Sequence, residues 1–329
     1  MQRSVAAALF LCATAFVGIS TSEHLPGASS GSRTPRVTLV AVGDVLLDRG
    51  VASALASTTP QEAFEAVAPL LQGADVAFCN LECPIVAEPD PIPKVNRFAA
   101  SPESASALTY CGFDVVSLAN NHAMDCGKRG LVETMEHLRR LGIAFCGAGM
   151  TEQDARSPTF LTVNGLRMAF VGFSHFSPEG IVRLPEAPTI AVLGKTGLLE
   201  EIARARKQSD VVIVSLHGGR EYATEPTAGQ RTLAKEAVAA GADLVIGHHP
   251  HVLQPVEVMQ REPGRNALVA YSLGNFVFDS RQPKSNETVI LECEITTSGI
   301  ERARTYPCKI ERCFPKSVSS VLAPTELLP

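Results

Sequence analysis

One rhythm dominates this chain from residue 36 to about residue 250: a short apolar run, a small polar cluster, then an amphipathic helix. That order constrains the fold strongly, because strands joined by crossover helices pair in parallel and parallel sheets are covered on both faces. Arg36 to Val42 reads as the first strand. Thr59-Pro60-Gln61-Glu62 then opens a helix reaching about Leu71, with a capping residue, a proline at the first position and an acid in the first turn. Asp75 to Cys79 and Phe113 to Leu118 are further strands, with a short helix over Pro102 to Tyr110 between them and a helix over Gly130 to Leu141 after them.

The middle departs from this pattern. Thr159 to Val163 and Leu166 to Phe173 flank Asn164-Gly165, a dipeptide favoured in two-residue hairpin turns, so antiparallel strands enter there. The βα rhythm resumes with a helix over Thr196 to Lys207, a strand over Val211 to Leu216, a helix over Thr227 to Ala240 and a strand over Leu244 to Gly247. Val252 to Met259, Ala267 to Leu273, Thr288 to Thr296 and Ile300 to Ile310 follow as strands without helices between them. The expected class is α/β, with a mixed sheet or two packed mixed sheets flanked by helices.

Of the 329 residues 45% are apolar, enough for a large core. A net charge of −5 and the absence of tryptophan argue against a nucleic-acid partner and a base-stacking platform. Met1-Gln2-Arg3, the apolar run Val5 to Ile19 and the small residues Ser20-Thr21-Ser22 make residues 1–22 a secretory signal. The run is shorter than the roughly twenty residues of a spanning helix, so an extracytoplasmic protein is expected rather than an anchored one. Residues 23–35 read as a linker, 36–312 as the domain and 313–329 as a loose tail. Cys12 lies in the signal; the other eight cysteines read as structural thiols or disulfides, with Cys308 and Cys313 the simplest local pair.

What gives the strands chemical meaning is how they end. Gly43-Asp44, Asn80-Leu81-Glu82, Asn120-Asn121-His122 with Asp125, His217, and His249 with His251 all stand at strand ends, where open α/β sheets build their sites. Each alone has an ordinary reading as a turn cap or a solvated polar group. Together these mixed oxygen and nitrogen donors suit a divalent pair such as Mn, Fe or Zn. Three of the chain's eight histidines fall in Gly247-His248-His249-Pro250-His251. If that stretch is extended, His249 and His251 share a face and are the favoured ligands, while His248 points to the other face as a neighbour that supports them and is expected to be dispensable.

These residues resemble the CapA, or poly-gamma-glutamate capsule-synthesis, family, a branch of the calcineurin-like metallophosphoesterases. The marks are Ala41-Val42-Gly43-Asp44, Asn80-Leu81-Glu82-Cys83-Pro84, Ser117-Leu118-Ala119-Asn120-Asn121-His122-Ala123-Met124-Asp125, His217-Gly218-Gly219, Gly247-His248-His249-Pro250-His251-Val252 and Tyr271-Ser272-Leu273-Gly274-Asn275-Phe276. The resemblance spans about Val37 to Glu292 and implies a four-layer metallophosphoesterase-like sandwich. It further implies that Asp44 and His251 hold a first metal, that Glu82 bridges, and that Asn121, His217 and His249 hold a second. Two positions depart from the superfamily pattern: Leu46 stands where a histidine is usual, and Glu82 where an aspartate is usual.

The mechanism implied by the resemblance is hydrolysis of a phosphoester or gamma-glutamyl amide by a metal-bound hydroxide. His122 would serve as proton donor to the leaving group, oriented by Asp125 or Asn120. Asp125 has an equal reading as a plain cap of the following helix. Arg49, Lys94 and Arg97 lie in loops near the motifs, where they could bind an anion but read as ordinary solvated cations. The expected partners are an anionic polymer or phosphoester substrate and membrane-associated capsule-assembly machinery. Two alternatives stand beside the hydrolase: a non-catalytic subunit whose metal grips polymer, and a disulfide-stabilised binding protein with ordinary histidines.

Overall fold

A computed structural model describes residues 34–194, 197–319 and 323–328. The expected signal and nearly all of the expected linker lie outside the described residues. Two mixed sheets carry the fold. In the first, the parallel strands Arg36–Val45, Val76–Leu81, Val115–Ser117 and Ala144–Cys146 lie side by side in chain order. Glu287–Thr296 and Gly299–Glu311 extend that sheet antiparallel beyond Arg36–Val45. In the second, Leu166–Ser174, Val211–His217, Leu244–His248 and Arg265–Ala270 run parallel, with Thr159–Val163 and Val256–Glu262 antiparallel at the two edges.

Three apolar layers explain why two sheets form. Leu39, Ala41, Val76 and Phe78 from the first sheet meet Met168, Phe170, Ile213 and Ile246 from the second in a shared inner core. The alternate residues Val40, Val42, Ala77 and Cys79 face outward to helices carrying Phe64, Leu108, Leu131 and Leu138. On the far side Val212, Val214, Val245 and Val269 pack against Leu198, Ile202, Ala234 and Val238. Strands buried on both faces need near-continuous apolar runs, and Leu39–Val42, Val76–Cys79 and Val211–Val214 supply them. The resulting order, helix, sheet, sheet, helix, is the four-layer sandwich that the resemblance implies.

Several boundaries differ from expectation. Thr59 caps its helix through a reciprocal capping box with Glu62, but the helix is Pro60–Phe64, and a second one, Ala68–Gln72, starts after a break at Val67. The strand expected at Val252 begins at Val256, because the residues before it turn around the functional site described below. The loose tail expected at 313–329 is instead partly sheet: Phe314–Ser317 and Thr325–Leu328 both pair with Gly299–Glu311. Backbone hydrogen bonds to that long strand satisfy groups that composition alone read as solvated. Of the two readings of the cysteines, thiols or disulfides, the thiols are what the structure has: the candidate pair is unbridged, with Cys308 opposite Ser317 across the sheet and Cys313 in the tight turn with φ 77°. All eight cysteines of the described residues are free thiols, seven of them buried.

Candidate metal centre

Both sheets deliver their carboxyl ends to one place. Asp44 sits on the last turn of pleat of Arg36–Val45, Glu82 directly follows Val76–Leu81, and the segment 120–125 follows Val115–Ser117. From the second sheet come His217 and His248, the final residues of their strands, then His249 and His251. Gly43 and Gly247 make this approach possible. A Cβ on Gly43 would lie 1.9 Å from the Gly274 carbonyl oxygen, and one on Gly247 would lie 2.0 Å from that of Tyr271.

The centre itself is buried and acidic. The Asn80 amide donates to Asp44 Oδ1 at 2.9 Å and lies 3.4 Å from both Glu82 Oε2 and His217 Nδ1. Asp44 Oδ2 is 3.3 Å from His251 Nδ1, whose nitrogen also lies 2.8 Å from Asn275 Oδ1. His217 Nε2 is 2.8 Å from Asn121 Oδ1 and 3.9 Å from Glu82 Oε1. Donor atoms of Glu82, His249 and His251 lie within 4.8 Å of one another, as do those of Asp44, Glu82 and His217. Glu82 is the member common to both groups. These groups divide the histidines differently from the assignment carried by the resemblance, which put His249 and His251 on different ions.

The electrostatics reflect two carboxylates and several imidazoles crowded out of water. Burial alone would raise the Asp44 carboxyl, but the imidazoles of His248 and His251 outweigh it and hold it well below the usual carboxylate range. Glu82 is pushed well above that range by burial and then by the charge of Asp44. Burial lowers His217, and His249 adds to the effect; His249 itself falls to about 4 through burial and the neighbouring His251. His251 is raised to about 10, burial being overcome by Glu82 and Asp44.

Buried donors left without partners test whether a cation fits here. Glu82 Oε1 and His249 Nδ1 make no hydrogen bond, although each is buried. Unpaired buried acceptors are costly unless something positive meets them. Hard carboxylate oxygens beside imidazole nitrogens are the donor set of Mn, Fe or Zn, so the residues fit divalent ions.

Placement of the individual residues corrects parts of the sequence reading. The chain leaves the strand at His248, and His249 and His251 adopt φ of 95° and 56°, so alternation along an extended strand does not bring them together. Their convergence is made by the loop. His248, expected to point away, has Nδ1 3.2 Å from Asp44 Oδ1 and its ring 6.2 Å from that of Phe78. Asp125 does not cap the helix Gly127–Arg140, whose N-cap is Cys126; its carboxylate lies 2.7 Å from His122 Nδ1. Burial lowers His122, against the pull of Asp125. Asn120 donates to Asn80 Oδ1 at 3.0 Å and accepts from the His122 N–H at 3.0 Å, locking the loop.

Lys94 is not a solvated cation: its side chain is 7% exposed and bonded to Asn121 and Asp125. Arg49 is closer to expectation, part-exposed and paired with Asp279, with its guanidinium 4.6 Å above the Phe98 ring. Arg97 is exposed. Asn80 stands among the strand-end groups expected to gather at the site, whereas Asn275 is only part of a motif. No residue-type argument distinguishes a buried asparagine that orients an acid from one that closes a turn.

A helix-covered α/β sandwich whose strand ends gather carboxylates, amides and imidazoles into a buried, metal-competent centre defines the class of protein. Residues 38–280 match the family described as bacterial capsule synthesis protein PGA_cap, and the chain belongs to that family. It is 31% identical to the capsule biosynthesis protein CapA of Bacillus anthracis, over 87% of this chain and 71% of that one. It is also 31% identical to the PGA biosynthesis protein CapA of Bacillus subtilis, over 84% and 72%. Among solved structures, a hypothetical protein from Thermus thermophilus shares the fold with a TM-score of 0.51 at 15% identity, over 83% of this chain and all of that one.

Proposed function

We propose that this protein is an exported, metal-dependent hydrolase of capsule assembly, acting on a phosphoester or gamma-glutamyl amide. The observation that carries the reading is Glu82: one buried carboxylate, with an unpartnered oxygen, belongs to both groups of donor atoms. Asp44, Asn121, His217, His249 and His251 complete the residues that would hold two ions. Bound there, divalent cations lower the pKa of water and take up negative charge that develops on the substrate.

The chain's own residues supply the rest. Asn80 orients Asp44, and Asn275 orients His251, so the carboxylate and the ring are already aimed for an ion they would hold. His122, held by Asp125, is the group positioned to give a proton to a departing oxygen or nitrogen. Such donation typically contributes about a hundredfold to ten-thousandfold. Phe98 stacks on the His122 ring at 4.0 Å and keeps water from one of its faces. Export rests on the charged, apolar and small-residue order of residues 1–22; among the described residues no helix is long and apolar enough to cross a membrane.

The test combines metal analysis with a screen of phosphomonoesters, phosphodiesters and gamma-glutamyl peptides, on the wild type and on His251→Ala. Stoichiometric transition metal and turnover of one class, lost in the variant while it stays folded, is the expected result. Metal-dependent binding of anionic polymer without turnover of any class would replace the hydrolase with a polymer-gripping subunit.

A further inference from the structure

Lys94 belongs to an irregular segment whose neighbours Pro93, Val95, Asn96 and Arg97 are exposed, yet its own side chain is buried. Its ammonium donates to the Asn121 carbonyl at 2.7 Å and to Asp125 Oδ1 at 2.7 Å. The Phe98 N–H from the same segment donates to Asp125 Oδ2 at 2.8 Å. His122 Nδ1 shares that Oδ2, at 2.7 Å, and lies 3.4 Å from the Lys94 ammonium, the longer and weaker of its two contacts. An ionised carboxylate only accepts, so with Lys94 and Phe98 already donating to it, the bond to His122 needs the hydrogen on Nδ1. The other ring nitrogen, Nε2, is then the one left to exchange a proton with substrate.

A buried ion pair is weak evidence for stability, since desolvating both charges offsets most of their attraction. Its effect here is directional: it aims one carboxylate at one imidazole. We propose that Lys94 is a positioning residue for proton transfer by His122, fixing Asp125 so that His122 keeps a single tautomer and orientation. The proposal deepens the hydrolase reading and rests on it for its kinetic consequence, though the tautomer does not depend on turnover.

The test measures kcat and KM for wild type, Lys94→Gln, His122→Ala and the double variant on a nitrophenyl phosphate and a simple alkyl phosphate. The expected result for Lys94→Gln is a kcat about tenfold or more lower on the alkyl ester, with KM unchanged. On the nitrophenyl ester, whose leaving group needs no proton, the change is under about twofold. In the His122→Ala background Lys94→Gln costs nothing further. Equal losses on both esters, or a loss that persists without His122, overturn the proposal and leave Lys94 a loop pin.

Should the wild type turn over neither ester, phosphomonoester hydrolysis alone fails, and nitrogen-15 NMR of the His122 ring with diamagnetic zinc added decides the role of Lys94. One Nδ1–H tautomer in wild type and a mixture in Lys94→Gln support it; an unchanged ring overturns it. Lys94→Met carries both measurements if the glutamine variant does not fold.

Discussion

Replacing Gly43 by alanine isolates a constraint of space from one of backbone conformation. The added methyl would sit 1.9 Å from the Gly274 carbonyl oxygen, against the 3.4 Å at which ordinary contact begins, so the two segments must part by about 1.5 Å. The carbonyl in the way accepts from the Asp44 N–H at 3.0 Å, and Asp44 lies in register with Asn275. Overpacking of this kind costs about 1–3 kcal/mol, and the strained hydrogen bond adds about 1 kcal/mol. A loss of about 3 kcal/mol lowers Tm by roughly 5 °C in a domain this large, whose unfolding entropy is about 0.6 kcal/mol/K. Because the displaced carbonyl holds the backbone of Asp44, metal affinity should fall about tenfold to a hundredfold, as when a ligand's supporting contacts are lost. Gly264→Ala is the control: its Cβ would meet nothing within 4 Å, and only its φ of 77° resists, for about 1 kcal/mol. Thermal melting followed by circular dichroism, with metal titration on both variants, makes the comparison. Equal shifts in Tm for the two variants, or a Gly43→Ala protein with wild-type metal affinity, would refute the reasoning from close approach.

Glu82→Gln should remove both ions together in elemental analysis, because this carboxylate belongs to both groups, whereas Asn121→Ala should leave more than half the metal in place. Metal uptake should release a proton near pH 7: His251, raised to about 10, is protonated without an ion and must lose that proton to ligate. Affinity therefore rises with pH up to about 10, and calorimetry in buffers of different ionisation heat reads the proton directly. Without an ion, the charge of His251 stabilises the fold fully below its ordinary value near 6.5, and that contribution is lost as pH rises through about 10. Chelation should lower Tm by several degrees, since Asp44 and Glu82 are then left facing each other with only imidazoles to offset them; a Tm unmoved by chelator would remove the metal from the folded centre.

The sequence alone determined the fold class and the identity of the gathering residues. Strands buried on both faces must be near-continuously apolar, and the groups that end them must be polar where the sheet stops, so both leave a readable pattern at Asp44, Glu82, Asn121, His217 and His249. Gly43 and Gly247 were legible as motif letters, but not as clearances. Tertiary structure decided what depends on distance between segments far apart in the chain. It turned His249 and His251 inward by loop geometry rather than strand alternation, and brought His248 against Asp44. It also took Lys94 out of solvent and set it on Asp125. None of these could be read in advance, because a lysine in a polar loop and a histidine beside other histidines have the same local pattern whether they meet water or a buried carboxylate. Which one they meet is fixed by the packing of two sheets, a long-range property that single-residue chemistry does not contain.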